Sequence, residues 1–221
     1  LGKSGPDGAA TAYFGDIIAN LYAVDATTGE LIWQSSPDEH HSATLTGTPA
    51  YAAGKLYVPV SSLEVVTAAN PEYACCTFRG HVMAVDADNG SVIWDSYAIP
   101  SPPASVGTTS AGTDMLGPSG APVWTSPTVD VDKNLLIFGT GENYSSPADT
   151  NSDAVIAVAL DTGERLWSRQ TFPGDAWNVA CMMADNPNCP EEDGPDYDQA
   201  SSHLLIDIGE GKTVVVAGQK D

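Results

Sequence analysis

The chain has 221 residues, 29 of them acidic and 8 basic, for a formal net charge of −21. A surface of that sign repels phosphate backbones and argues against nucleic acid as a partner, while it suits docking to a basic protein. No apolar run approaches the ~20 residues that a membrane-crossing helix needs, and 21 glycines and 16 prolines among many short apolar runs predict an all-β fold.

Residues 1–13 form a Gly/Ala/Ser-rich lead-in. Residues 14–34 hold the first copy of an eleven-residue unit, Ala23-Val24-Asp25-Ala26-Thr27-Thr28-Gly29-Glu30-Leu31-Ile32-Trp33. The unit returns from Ala84 to Trp94 and again from Ala157 to Trp167, giving the pattern A-x-D-x-x-T-G-x-x-x-W with Asn89 and Ala159 as departures. Each copy predicts a β-hairpin: an alternating strand, a turn whose glycine takes positive φ, and a second strand ending in Trp. One such hairpin is marginal alone in water, so the copies must stack or join larger sheets.

Residues 43–62 predict two strands around Ala53-Gly54-Lys55. With the second hairpin at 81–95 they make a four-stranded sheet over 42–95, interrupted by a long loop at 63–79. Residues 96–120, rich in Pro, Ser, Gly and Thr, read as an irregular connection. A strand over 123–131 turns at Asp132-Lys133-Asn134 into a strand over 135–140, and a polar loop, 141–153, leads to the third hairpin. Residues 171–200 are another long loop, acidic and carrying two cysteines. Two further strands, 203–208 and 213–218, meet at Gly209-Glu210-Gly211. The reading is a single partial propeller domain over 1–221: part of a blade at 14–34, blades at 42–95 and 121–168, and the start of another at 201–221. Beginning at Leu1 and ending at Asp221 just after an apolar run, the chain reads as a piece of a longer protein, and unpaired edge strands would make it poorly soluble alone. Loops as long as 63–79, 141–153 and 171–200 are uncommon in compact β domains unless functional, and they are where chemistry is expected.

The four cysteines fall into two local pairs, Cys75 with Cys76 and Cys181 with Cys189, which suggests disulfides and an oxidising compartment. For the adjacent pair, two buried thiols are the other reading. No C-x-x-C-H occurs, so no haem is covalently attached to this chain. His40, His41, His81 and His203 show no metal-ligand spacing.

The repeated unit resembles the tryptophan-docking motif of pyrroloquinoline quinone (PQQ) dependent alcohol dehydrogenases. The segments Tyr73-Ala74-Cys75-Cys76-Thr77-Phe78-Arg79-Gly80, Gly117 to Thr128, Gly139-Thr140-Gly141-Glu142-Asn143-Tyr144-Ser145 and Gly194-Pro195-Asp196-Tyr197-Asp198 look like the polyvinyl alcohol dehydrogenase branch. The resemblance implies part of an eight-bladed β-propeller of four-stranded antiparallel blades. It also implies a periplasmic or secreted oxidoreductase that oxidises alcohols with PQQ and Ca²⁺ and passes electrons to cytochrome c.

On that resemblance each candidate residue carries an expected role beside an ordinary one. Trp124 matches the tryptophan that stacks on the quinone face; a core aromatic is the alternative. Glu142 stands where the family has a metal-binding Asn, with Asn143 one position on, and either offers calcium an oxygen. Glu64 matches the family's glutamate ligand. Thr46 and Ser62 match polar contacts to the quinone, although hydroxyls also cap their own turns. Cys75 and Cys76 form a rigid lid over the cofactor in the functional reading. Arg79 would pair with a cofactor carboxylate, or make a salt bridge within its blade. The segment Pro173-Gly174-Asp175-Ala176-Trp177-Asn178 matches the one that carries the catalytic aspartate, but Asn178 occupies the matching position and cannot usefully accept a proton. Asp175 is therefore the expected base, with Asp196 or Asp198 as the alternative and a turn-capping role as the ordinary reading. A propeller of another class, used without catalysis for protein binding or envelope assembly, would share the docking repeats but need neither Trp124 nor the carboxylates. A sugar-oxidising quinoprotein is the third possibility.

Overall fold

The structure is a computed structural model that describes residues 10–220. Residues 1–9 of the Gly/Ala/Ser-rich lead-in, and Asp221, lie outside the described residues. In chain order the elements are β1 (Thr11–Gly15), β2 (Leu21–Asp25), β3 (Leu31–Ser35), β4 (Ala43–Thr44), β5 (Ala50–Ala52), β6 (Lys55–Ser62), the single turn α1 (Glu64–Thr67), β7 (His81–Asp86) and β8 (Val92–Tyr97). They continue with β9 (Ala104–Thr108), β10 (Asp114–Gly117), β11 (Ser119–Gly120), β12 (Thr128–Asp130), β13 (Leu135–Gly139), β14 (Asn143–Ser145), β15 (Ala154–Ala159), β16 (Arg165–Gln170), β17 (Leu204–Gly209) and β18 (Lys212–Val216). The principal sheets run β1-β2-β3, then β4-β6-β7-β8 with β5 also on β6, then β12-β13-β15-β16, then β17-β18. Every strand pairing in them is antiparallel.

The three sequence units fold alike. Gly29, Gly90 and Gly163 have φ of 78°, 77° and 73°, and their N–H groups donate to the carbonyls of Asp25, Asp86 and Ala159 at 2.8, 2.9 and 2.8 Å. Each hairpin also breaks register at the same place, after Ala23, Ala84 and Ala157, which adds local twist. The Asp of the motif is a turn cap: Asp25 Oδ1 accepts from Thr27 and Thr28, and Asp86 Oδ1 from Asp88. Ala159 cannot do this, yet its backbone turn persists because glycine still supplies the left-handed residue.

Successive sheets stack face to face through these units. Trp33 lies against Gly90 of the next unit and donates its indole N–H to the Ala87 carbonyl at 3.1 Å. Trp94 lies likewise against Gly163. One apolar layer, with Leu21, Leu45, Val58, Val60, Met83 and Phe78, fills the space between the first two sheets. A second, with Tyr57, Val82, Ala84, Leu136, Phe138 and Ile156, joins the next pair. A third, around Ile137, Val155 and Ala157, takes Leu205 and Val215 of the β17-β18 hairpin.

Several stretches differ from the sequence expectation: the loop 63–79 contains α1, the loop 141–153 contains β14, and the loop 171–200 contains a 3₁₀ turn at Val179–Met182. The connection 96–120 contains the β9-β10 hairpin, closed by a Thr109 N–H to Thr113 carbonyl bond of 2.8 Å, and the short β11. β9 (Ala-Ser-Val-Gly-Thr) and the four-residue β10 (Asp-Met-Leu-Gly) are too short and too mixed to show the sustained apolar alternation that announces a strand. Residues 123–127 stand outside the β12 ladder, with a bend at Thr125; Val123 instead donates to the Val60 carbonyl at 3.1 Å.

Candidate functional site

The site is assembled by backbone pairing between two loops. β11 pairs with β14, Ser119 opposite Ser145 and Gly120 opposite Asn143. The pairing continues irregularly: Ala121 N–H reaches the Glu142 carbonyl at 2.7 Å, and Gly141 N–H reaches the Pro122 carbonyl at 2.9 Å. This sets Trp124, at the end of one segment, beside Glu142 on the other. Both line a hollow of about 230 Å³, together with Ser62, Tyr144, Trp177 and three residues from the end of the described chain, Asp196, Asp198 and Lys220.

The floor of the hollow is acidic. Carboxylate oxygens of Glu142, Asp196 and Asp198 all lie within 4.8 Å of one another. Asp198 Oδ1 accepts the Glu142 N–H at 3.2 Å, and Gly141 leaves room for that approach, since a Cβ there would run into the same oxygen. Lys220 Nζ bridges Asp198 at 2.7 Å and Asp196 at 3.1 Å. Burial first, then the charges of Asp198 and Asp196, push the Glu142 carboxyl well above the usual range. Burial also raises Asp196, against the pull of Lys220. Behind the hollow Asp153 is fully buried with neither carboxyl oxygen hydrogen-bonded among the described residues. Burial, then Asp175 and Asp198, push it up to about 9.

Of the residues singled out in the sequence, the hollow gathers Trp124, Glu142, Ser62 and the two alternative bases, Asp196 and Asp198. Glu64 is not on its lining. It is fully buried, with Oε1 accepting from the Tyr73 hydroxyl (2.6 Å), Thr77 N–H (2.9 Å) and Thr77 hydroxyl (3.0 Å), and Oε2 from Phe78 N–H (2.7 Å). Asn143 is likewise spent: its amide donates to the Ser119 carbonyl at 2.9 Å and accepts from Asp149 N–H at 2.6 Å. Thr46 is exposed in a separate recess beside Phe14 and Leu45.

Arg79 donates to the carbonyls of Ile99 and Pro100 at 3.0 and 3.1 Å and lies 3.9 Å above the Tyr97 ring. It faces another polar hollow, shared with Asp38 and His81, whose Nε2 and Oδ2 are 3.1 Å apart.

Both cysteine pairs are disulfides, Cys75–Cys76 and Cys181–Cys189. Cys75 and Cys76 are both in the core, and Cys75 also borders, with Cys189, a recess lined by Met115 and Pro190. Asp175 is fully buried and off the lining, accepting Tyr197 N–H at 2.8 Å and, at a long 3.4 Å, Asp196 N–H. Asn178 is consumed in the same way. Its amide donates to the Tyr144 and Asn188 carbonyls at 2.8 and 2.7 Å and accepts from Ala180 N–H at 2.8 Å.

The sequence signals Asp196 and Asp198 only through the Gly194–Asp198 segment. Nothing local marks Lys220, which arrives from beyond β18.

Comparison with known proteins agrees with this architecture. The family model for the glucose/ethanol/alcohol dehydrogenase β-propeller domain, PQQ, matches residues 44–190. A polyvinylalcohol dehydrogenase of Pseudomonas sp. is 36% identical over 218 residues, covering 97% of this chain and 34% of that protein. One from Sphingopyxis sp. is 34% identical over 220 residues, with the same two coverages. Among solved structures, a quinohemoprotein alcohol dehydrogenase of Pseudomonas putida superposes with a TM-score of 0.63 at 26% identity, over 95% of this chain and 30% of that one. The chain thus spans about a third of the length of the curated relatives it matches. With propeller-like stacked sheets, docked tryptophans and matches of this extent, the chain belongs to the family of PQQ alcohol dehydrogenase β-propeller domains.

Proposed function

We propose that the protein carrying this chain is a PQQ- and calcium-dependent alcohol dehydrogenase that oxidises secondary alcohols such as those of polyvinyl alcohol. The observation that supports this most is the convergence of an indole, three carboxylates and one ammonium on a single hollow. The donor set fits the groups the family implies. A calcium ion takes hard oxygen ligands, and Glu142, buried beside the carboxylates of Asp196 and Asp198, gains from a counter-charge. A flat polyanion needs an apolar face and a cation, which Trp124 and Lys220 offer. When bound, the quinone supplies the two-electron acceptor and the metal polarises it.

The chain's own residues then divide the work. Trp124 orients the ring plane. Glu142 and Asp198 would hold the metal. Asp196, half-buried on the lining and raised first by burial, takes the hydroxyl proton. This role passes from Asp175 to Asp196 because a base must touch the proton it removes. Lys220 keeps Asp196 ionised between turnovers and closes the acidic floor. The dehydrogenase names of the relatives and their polyvinyl alcohol substrate support the substrate class. Delivery to cytochrome c follows the family resemblance, and a charge of −21 suits a basic acceptor. Two disulfides favour a periplasmic or secreted location.

The test is titration of the whole, folded protein with PQQ and CaCl₂, followed by dye reduction with a panel of secondary alcohols, polyvinyl alcohol and sugars. Saturable PQQ binding with alcohol-dependent reduction is the expected result. A folded protein that binds no PQQ would remove the proposal in favour of a non-catalytic propeller, and turnover on sugars alone would reassign the substrate.

A further inference from the structure

We infer that Asp175 is a positioning residue, the joint that fixes the loop bearing Asp196 and Asp198 at a set distance from Glu142. What that loop is for rests on the functional reading above; the joint itself rests on backbone geometry. Residues 175–177 lie between β14 and residues 194–197 and are bonded on both edges. On one side Asn143 N–H reaches the Asp175 carbonyl at 3.3 Å, and Trp177 N–H reaches the Asn143 carbonyl at 2.8 Å. On the other, Gly194 N–H reaches the Ala176 carbonyl at 3.0 Å. There the backbone ladder ends, and the Asp175 side chain continues it by accepting Tyr197 N–H at 2.8 Å and Asp196 N–H at 3.4 Å.

The two N–H groups reach different oxygens, Asp196 at Oδ1 and Tyr197 at Oδ2, and Asn offers an oxygen at only one of those two places. An amide in its place would turn an N–H toward a backbone N–H, and a buried donor without an acceptor is costly. Gly194 is part of the same joint, because a Cβ on it would run into Asp175 Oδ1. Asp175 and Ala176 are both fully buried, so the joint touches no reacting group and acts only through where it puts Asp196 and Asp198. One strut thereby couples two acidic segments far apart in sequence.

The test compares Asp175→Asn and Gly194→Ala in the whole protein, with Gly29→Ala as a control for general destabilisation remote from the joint. Amide exchange over residues 194–199 should quicken about tenfold in both joint variants, the loss expected for one charge-assisted bond, and not in the control. Calorimetric affinity for CaCl₂ should fall about 10–100-fold, as when an outer-shell partner of a metal ligand is removed. The acidic limb of the kcat–pH profile should stay where it is in the wild type. Unchanged exchange over 194–199 in both variants would overturn the inference. So would a collapse of kcat in Asp175→Asn with calcium affinity and exchange intact, which would make Asp175 the base itself. A wild type that binds no calcium would count against the functional reading, while the exchange measurements would still decide the joint.

Discussion

Asp196 and Trp124 carry the sharpest single-residue expectations. Replacing Asp196 by Asn keeps its volume but removes the proposed proton acceptor, so on that proposal kcat should fall by about 10²–10⁴ with PQQ affinity retained. A variant with normal turnover would return the role to another carboxylate. Replacing Trp124 by Ala removes the ring face and should weaken PQQ binding by about tenfold, since stacking of aromatic faces is worth about 0.5–1.5 kcal/mol; fluorescence titration reads this directly. At this scale the sequence is informative where chemistry is packed into a short segment. Trp124 follows a Gly/Pro run and Glu142 sits in Gly141-Glu142-Asn143, and the structure puts both in one hollow. Residue type alone does not reveal which acceptors are already in use. Nothing in its own segment announces that Glu64 lies off the hollow and accepts the N–H groups of Thr77 and Phe78. Lys220 has no motif around it, and only the path of the chain beyond β18 delivers it.

At the scale of the elements, the stacking of sheets depends on indoles lying on glycines. Gly29 and Gly163 have nearly the same φ, but a Cβ at Gly29 meets nothing within 4 Å, whereas one at Gly163 meets Trp94 at 2.6 Å. Gly29→Ala should therefore cost only the backbone strain, about 1 kcal/mol, and Gly163→Ala about 1–3 kcal/mol more from overpacking. Urea melts of the two variants should separate by that margin; equal midpoints would mean that the indole yields freely. The hairpins were legible because turn chemistry is local: Asp, Thr and Gly at fixed offsets suffice. The β9-β10 hairpin was not, because its short strands, Ala-Ser-Val-Gly-Thr and Asp-Met-Leu-Gly, show no sustained alternation and its order comes from pairing and the Thr109–Thr113 closure. That the copies must stack or join larger sheets was legible too, since one hairpin alone is marginal in water.

For the whole molecule, acidity is the dominant variable. Glu142, Asp153, Asp175 and Asp196 all have raised carboxyl pKa values, burial being the first cause in each. A raised group binds its proton more tightly in the folded than in the unfolded state. Its stabilisation is complete below the unfolded pKa and is lost as pH rises toward the folded one. For Asp153 the window runs from 3.8 to about 9. His81 shifts the same way: its burial opposes the charge, but Asp38, Asp95 and the Arg79 carbonyl outweigh it. The melting temperature in EDTA should therefore decline between pH 5 and 8. Asp153→Asn should flatten part of that decline, raising stability at pH 8 and leaving it unchanged at pH 5. Calcium should flatten it further by neutralising the acidic floor. A pH-independent melting temperature in EDTA would show that the carboxyl cluster is better solvated than its burial implies. The surface charge makes a separate prediction: reduction of a basic acceptor should slow as ionic strength rises, because screening shortens the reach of the field to about 8–10 Å near physiological salt.

Strand β14 and its flanks divide two chambers. Glu142 and Tyr144 look into the acidic hollow, while Ser145 and Ser146 border the recess that holds Cys75. Side chains alternate along a strand, so a slip of one residue would exchange the occupants of the two rooms. A deletion at Thr140 should accordingly do more harm than a longer insertion at the open Gly54 turn. Length, as much as composition, is under constraint along this partition.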